Sequence, residues 1–246
     1  MALPNRAPAA ALMPAEPVPS LDAIRLSGVD LGLAHLLDAA ELDRAATFRS
    51  PALQNRFLAG RIALRLHISA LTGEDPGSLI ADYACPSCRN HGDTGHGIPQ
   101  YRLPSHPGRL RASLSRSGDW CLLAASLDQD VEGIGVDIED GTAADFAEFQ
   151  SLALTANERR ELHNAPPALG VRLQTGLWVR KEAVLKALGT GLAQDPVLVD
   201  VSGSQPAVLG QPPLPGLWNL EDINPASVGL PDNFIASRAV RRAARL

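Results

Sequence analysis

Lysine is nearly missing from this chain of 246 residues: of its 22 lysine and arginine residues, only Lys181 and Lys186 are lysine. A guanidinium keeps its charge, whereas a lysine amine can shift its pKa and release a proton. A chain that otherwise uses arginine is expected to keep lysine where arginine cannot substitute. The segment Trp178-Val179-Arg180-Lys181-Glu182-Ala183-Val184-Leu185-Lys186 is therefore the first place to look for chemistry. Cysteine is scarce as well. Cys85, Cys88 and Cys121 are too few and odd in number for a disulfide framework, so a reducing cytoplasm is the expected compartment. No apolar run approaches the length of a membrane span. Residues 1–20 lack the long apolar core of a secretory signal and read as a flexible tail. Net positive charge is absent too: the value is −5, which argues against non-specific nucleic-acid binding.

What is present is a composition for folding. With 45% apolar and 20% charged residues, a soluble protein of one large or two small domains is expected. Charge is unevenly spread. Residues 1–125 hold 12 arginines against 11 acids, and residues 126–246 hold 10 basic residues against 16 acids. A first half that meets an anion and a second half that meets a cation would fit this balance.

The chain also repeats itself. Sliding the sequence by 116 positions lays Arg56 on Arg172, Gly60 on Gly176 and Gly73 on Gly189. Each copy reads as a helix, a proline-containing turn and a second helix. Strand candidates follow: Leu110–Ser115 and Trp120–Ser126 as a hairpin closed by Ser117-Gly118-Asp119, then Ile134–Glu139, Val197–Val201 and Phe234–Val240. Residues 202–216 read as a loop. The expected fold class is α+β: two similar α+β halves related by a pseudo-twofold, residues 21–129 and 130–246. Because the duplication supplies its own two-fold packing, a monomer is expected.

In Gly133-Ile134-Gly135-Val136-Asp137-Ile138-Glu139, strand alternation puts Asp137 and Glu139 on one face. Two adjacent carboxylates suit Mg²⁺, which binds through one or two carboxylates plus substrate phosphate. The bland alternative is a solvated strand face. On the helix from Leu177 to Leu188, Leu177, Val184 and Leu188 form an apolar stripe bordered by Trp178, Glu182 and Lys186. Here the alternative is an ordinary Glu-to-Lys surface pair. Thr155-Ala156-Asn157-Glu158 has the spacing of a capping box.

Taken together, Gly-Val-Asp-x-Glu followed by Trp-x-x-Lys-Glu-Ala-x-x-Lys resembles the signature of the 4′-phosphopantetheinyl transferases. Spacing and duplicated halves are similar to the single-chain, Sfp-type branch. Ser113-Leu114-Ser115-Arg116-Ser117-Gly118 resembles that family's Ser-His-Ser-Gly segment, and Arg56-Phe57-Leu58-Ala59-Gly60-Arg61 its first-half helix. The resemblance implies Mg-dependent transfer of the phosphopantetheine arm of coenzyme A to a serine of an apo acyl or peptidyl carrier protein. Adenosine 3′,5′-bisphosphate is the other product. Carrier proteins of polyketide and nonribosomal peptide biosynthesis are the implied partners. By motif position, Asp137, Glu139 and Glu182 would hold Mg²⁺ (or Mn²⁺). Glu158 or Glu182 would be the base, and Lys186 would serve the leaving phosphate. Arg44, Arg56, Ser115 and Arg116 would grip coenzyme A together with Asp137 and Lys186, and Gly97 and Pro99 would form the turn at its adenine end.

Two departures stand out. Arg116 replaces the family's usual histidine, and Ile98 replaces the lysine of a Gly-Lys-Pro-like turn. They leave open a degenerate relative that binds coenzyme A or carrier protein without turnover. Cys85 and Cys88, with His91 and His96, leave open a zinc-stabilised interaction module.

Overall fold

The computed structural model describes residues 18–83, 97–203 and 205–244. Residues 1–17 of the expected tail, and Cys85, Cys88, His91 and His96, lie outside the described residues. The fold is α+β. Strand β1 (Ser20–Arg25) leads to helices α1 (Ala39–Ala46) and α2 (Pro51–Thr72), then to β2 (Ile80–Ala81), β3 (Gln100–Leu103), β4 (His106–Ser117) and β5 (Trp120–Ser126). The sequence of elements then starts again with β6 (Val131–Asp140), α3 (Phe149–Ala153), α4 (Ala156–Asn164) and α5 (Gly170–Leu188). It closes with β7 (Val199–Asp200), β8 (Ala207–Val208), β9 (Leu217–Ile223) and β10 (Phe234–Arg242).

The strand orders show the repeat. One sheet runs β1-β5-β4-β3-β2 and the other β6-β10-β9. In each, the strand before the helices pairs antiparallel with the last strand of its segment, and that strand pairs with the one before it. The shift of 116 also survives in detail. Gly73 and Gly189 close α2 and α5 with φ of 76° and 77°, the left-handed conformation that glycine adopts without strain. Arg56 donates to the carbonyl of Gly118, and Arg172 to that of Phe234. Between the two sheets lies one apolar cluster built from both: Leu122 and Ala124 of β5, Val131, Ile134, Val136 and Ile138 of β6, and Phe234, Ala236 and Val240 of β10.

Each long helix carries a fully buried cation. Arg65 of α2 meets Glu41 at 2.6 Å and Asp38 at 3.1 Å, and donates to the carbonyls of Pro76 and Leu79. Lys181 of α5 meets Glu158 at 2.7 Å and donates to the carbonyls of Pro196 and Val199. Each cation thus ties the N-terminus of the short helix to the chain leaving the long one. Full pairing matters here, because an uncompensated buried charge costs several kcal/mol, of order 3–5.

Three local readings are adjusted. Val197–Val201 is a 3₁₀ turn (Pro196–Leu198) followed by the short β7, because Asp195 caps the turn through the Val197 N–H. The hairpin turn is shorter than expected, since Ser117 belongs to β4. Residues 202–216 are not wholly loop: they contribute β8.

Candidate active site

The site begins with two glycines. A Cβ on Gly133 would lie 2.2 Å from the Ala187 carbonyl oxygen, and one on Gly135 would lie 1.9 Å from that of Ala183. Only glycine lets α5 sit directly on β6. That contact brings the Lys186 ammonium to 2.6 Å from Asp137 Oδ1 and 3.2 Å from the Val136 carbonyl. Glu182, one turn earlier on α5, enters the same electrostatic neighbourhood as Asp137, Glu139 and Lys186. Burial pushes the Glu182 carboxyl above its ordinary range, and Asp137 and Glu139 push it further while Lys186 opposes them. Glu139 is raised likewise by burial, with Ser117, Lys186 and Arg56 pulling it back.

From the other side comes β4. Its alternate serines face β6 in a ladder. Ser113 Oγ accepts the Val136 N–H at 3.0 Å, Ser115 Oγ donates to Asp137 Oδ1 at 2.6 Å, and Ser117 Oγ donates to Glu139 Oε2 at 2.8 Å. Beyond the serines stand the cations. Gly60 leaves room on α2 for Arg116, whose Cδ and Nη1 lie 3.2 Å from where a Gly60 Cβ would be. Arg116 also lies over the Phe57 ring at 5.8 Å and donates to the Arg56 carbonyl at 3.3 Å. Burial depresses the Arg116 pKa, and Arg61 and Arg56 nearby add to this. An anion would relieve that crowding.

The expected residues divide. Asp137, Glu139, Glu182, Lys186 and Ser115 come together where the two segments meet, with Arg56 in electrostatic reach of Glu139, whereas Arg116 stands on the opposite face of β4, against α2. Arg44 is set apart: its guanidinium covers Phe48 at 5.6 Å, and Phe48 packs on Phe57 at 5.3 Å, so two rings separate it from Arg116. Gly97 (φ 112°) and Pro99 precede β3, where the Pro99 carbonyl accepts from the Ala112 N–H. That is roughly 13 Å along β4 from Arg116 by strand rise. Glu158 does not join the cluster. It is fully buried, its Oε1 accepting from Val201 N–H and its Oε2 from Thr155 N–H and Lys181. Every acceptor direction it could offer an incoming hydroxyl faces the protein interior. The capping box is real, and together with Lys181 and the Val201 N–H it takes the whole side chain.

Sequence reasoning missed Ser117, although the Ser-x-Ser-x-Ser alternation on one strand face was there to find it. Of the two lysines the sequence singles out, Lys181 is sealed inside the core and only Lys186 reaches the cluster.

Metal fit can be tested on the carboxylates. Among the described residues, no three His, Cys, Asp or Glu side chains form a metal-holding group, so Asp137, Glu139 and Glu182 do not form a three-carboxylate cage. Two buried oxygens nevertheless lack any partner, Asp137 Oδ2 and Glu182 Oε1. Unpaired buried carboxylate oxygens are costly. A pair of them suits Mg²⁺, which takes one or two carboxylates and completes its shell with water and substrate phosphate.

Comparison with known proteins gives an independent view of the same segment. No curated protein matches the chain. Among solved structures, a holo-(acyl-carrier-protein) synthase from Bacillus anthracis str. Ames, in complex with CoA (3′,5′-ADP), is similar over 46% of this chain and 98% of its own. The identity is 21% and the TM-score 0.38. Residues 133–224, which contain Asp137, Glu139, Glu182 and Lys186, match the sequence model of the 4′-phosphopantetheinyl transferase superfamily.

Proposed function

We propose that this protein is a 4′-phosphopantetheinyl transferase of the single-chain, Sfp type. In this reading it moves the phosphopantetheine arm of coenzyme A to a serine of an apo carrier protein. One observation carries the reading: a lysine ammonium and two unpartnered carboxylate oxygens lie together on β6 and α5, with Arg56 of α2 in electrostatic reach of Glu139 beside them. Cations on one side suit the phosphates of coenzyme A, and carboxylates on the other suit a divalent ion.

The roles follow from the chemistry. Arg56 and Arg116 bind phosphate oxygens through charge-assisted hydrogen bonds. Asp137 and Glu182, with Glu139 beside them, would hold Mg²⁺, which when bound supplies charge neutralisation at the pyrophosphate. The serine hydroxyl oxygen forms a bond to the β-phosphorus, and the bond from that phosphorus to the bridging oxygen breaks. The serine proton goes to Glu182, whose raised pKa suits it to accept one. Lys186 faces the departing phosphate of adenosine 3′,5′-bisphosphate, stabilises its charge and donates a proton to it. Glu158 has no part in this scheme, because Lys181 and the capping box occupy it. Arg116 stands in for the family's histidine with a permanent charge, and Gly60 provides its space.

The direct test is incubation with coenzyme A, Mg²⁺ and an apo carrier protein, followed by intact-mass measurement. The carrier should gain one phosphopantetheine, and Asp137→Ala should prevent it. Complete failure of the wild-type protein across acyl and peptidyl carriers would overturn the reading.

A further inference from the structure

We propose that Ser117 is a positioning residue: it holds Glu139 beside the Asp137 and Glu182 oxygens that would take the cation, and thereby makes cation binding depend on contact between the two segments of the chain. The inference rests on the transferase reading above. Its observation is the ladder from β4 to β6. These strands are in different sheets and share no backbone pairing. The serine hydroxyls, with Arg111 donating to the Val131 carbonyl, supply the polar link instead, and the three serine rungs differ in what they hold. Ser113 meets only backbone, at the Val136 N–H. Ser115 shares Asp137 Oδ1 with Lys186, so that carboxylate has a second anchor. Among the described residues, Ser117 is the hydrogen-bond donor to Glu139, at 2.8 Å on Oε2.

Glutamate has three rotatable side-chain bonds, and Glu139 is only half-buried. Without a tether its carboxylate would sample positions away from Asp137, driven by the repulsion between the two. A hydroxyl donating to one oxygen removes that freedom while leaving the other oxygen available. Hydrogen-bond partners of ligating carboxylates orient them, and their loss commonly costs about 10- to 100-fold in metal affinity. Because Ser117 is the last residue of β4, next to the Gly118 carbonyl that Arg56 grips, the same turn ties the phosphate-facing side to the metal-facing side.

The test measures binding, with turnover as a second readout. Free Mn²⁺ is followed by electron paramagnetic resonance during titration of the protein with coenzyme A present. Ser117→Val and Ser117→Thr have nearly the same volume and differ by the hydroxyl. Valine should weaken Mn²⁺ binding by about tenfold or more, and threonine should restore it. The apparent KM for coenzyme A should stay constant at saturating metal. Ser113→Ala is the control for a merely structural ladder: it should lower stability and leave Mn²⁺ affinity unchanged. Equal Mn²⁺ affinity in the valine and threonine variants would overturn the proposal while leaving the transferase reading intact. A wild-type protein that neither binds Mn²⁺ with coenzyme A nor modifies a carrier would remove both. If the valine variant does not fold, Ser117→Gly replaces it, with the same expected loss.

Discussion

Helices α2 and α5 occupy corresponding places in their segments, and the difference between them separates architecture from chemistry. At the shift of 116, Lys181 falls on Arg65, and both are fully buried cations. Each pairs with the glutamate at the third position of the preceding short helix, Glu158 or Glu41, and each clamps two carbonyls of the chain that follows. A feature present in both segments belongs to the fold. The positions of Glu182 and Lys186 fall instead on Leu66 and Ala70. The carboxylate and ammonium therefore occur in one copy only, and one working site is expected. The first copy contributes arginines and serines to that site. In the proposed reading the two segments divide the labour, one facing phosphate and one facing metal.

The largest expected effect tests the shared clamp. Lys181→Met leaves Glu158 charged and unpaired in the core, and should cost about 3–5 kcal/mol in denaturant unfolding, as should Arg65→Met. A Lys181→Met protein of normal stability that no longer transfers would break the comparison, by making the clamp catalytic. Next come the unshared residues. Asp137→Ala and Lys186→Ala should reduce transfer by about 100- to 1000-fold with unfolding midpoints near wild type. Mutating Leu66 or Ala70, their counterparts on α2, should leave the rate alone. Lys186→Arg sharpens the point, because it keeps charge without a readily lost proton. Its turnover should fall roughly 10- to 100-fold, with coenzyme A binding preserved in a direct titration.

The smallest effect concerns Glu182. Its folded pKa is raised by burial first and then by Asp137 and Glu139. A raised carboxyl favours the protonated fold, so its stabilising contribution holds below the unfolded value and is lost as pH rises through the folded one. At neutral pH the charged Glu182 therefore weighs against the fold. Glu182→Gln should raise stability by about 1 kcal/mol near pH 7, a gain that disappears as pH falls below the ordinary carboxylate range. Chemical denaturation across that pH series checks the sign. A gain that instead grew toward acid would mean that Glu182 is held ionised in the fold.

Much of this organisation was legible in the sequence, for reasons that can be named. Gly73 and Gly189 mark helix ends because a left-handed residue is needed there, and their matched spacing exposed the repeat. The Asp137/Glu139 alternation and the Glu182/Lys186 spacing are local periodicities, which sequence preserves directly. What stayed hidden was pairing across elements. Glu158 offered two readings, cap and base, and only the arrival of Lys181 from another helix decides between them. The duplication held only part of that answer: Arg65 falls on Lys181, but Glu41 falls on Asn157, one residue short of Glu158. Alternation puts the β4 serines on one strand face, but which strand that face meets is a long-range matter that local periodicity does not carry.

Gly133 and Gly135 have a last consequence. With no side chain between β6 and α5, the separation of Asp137 from Lys186 is set by main chain resting on main chain. When core residues change over time, helices usually slide to accommodate the new volumes. Here there is no side chain through which such sliding could begin. The Asp137–Lys186 spacing is thus insulated from substitution elsewhere, and distant descendants of one ancestor can keep this geometry after most of their remaining sequence has diverged.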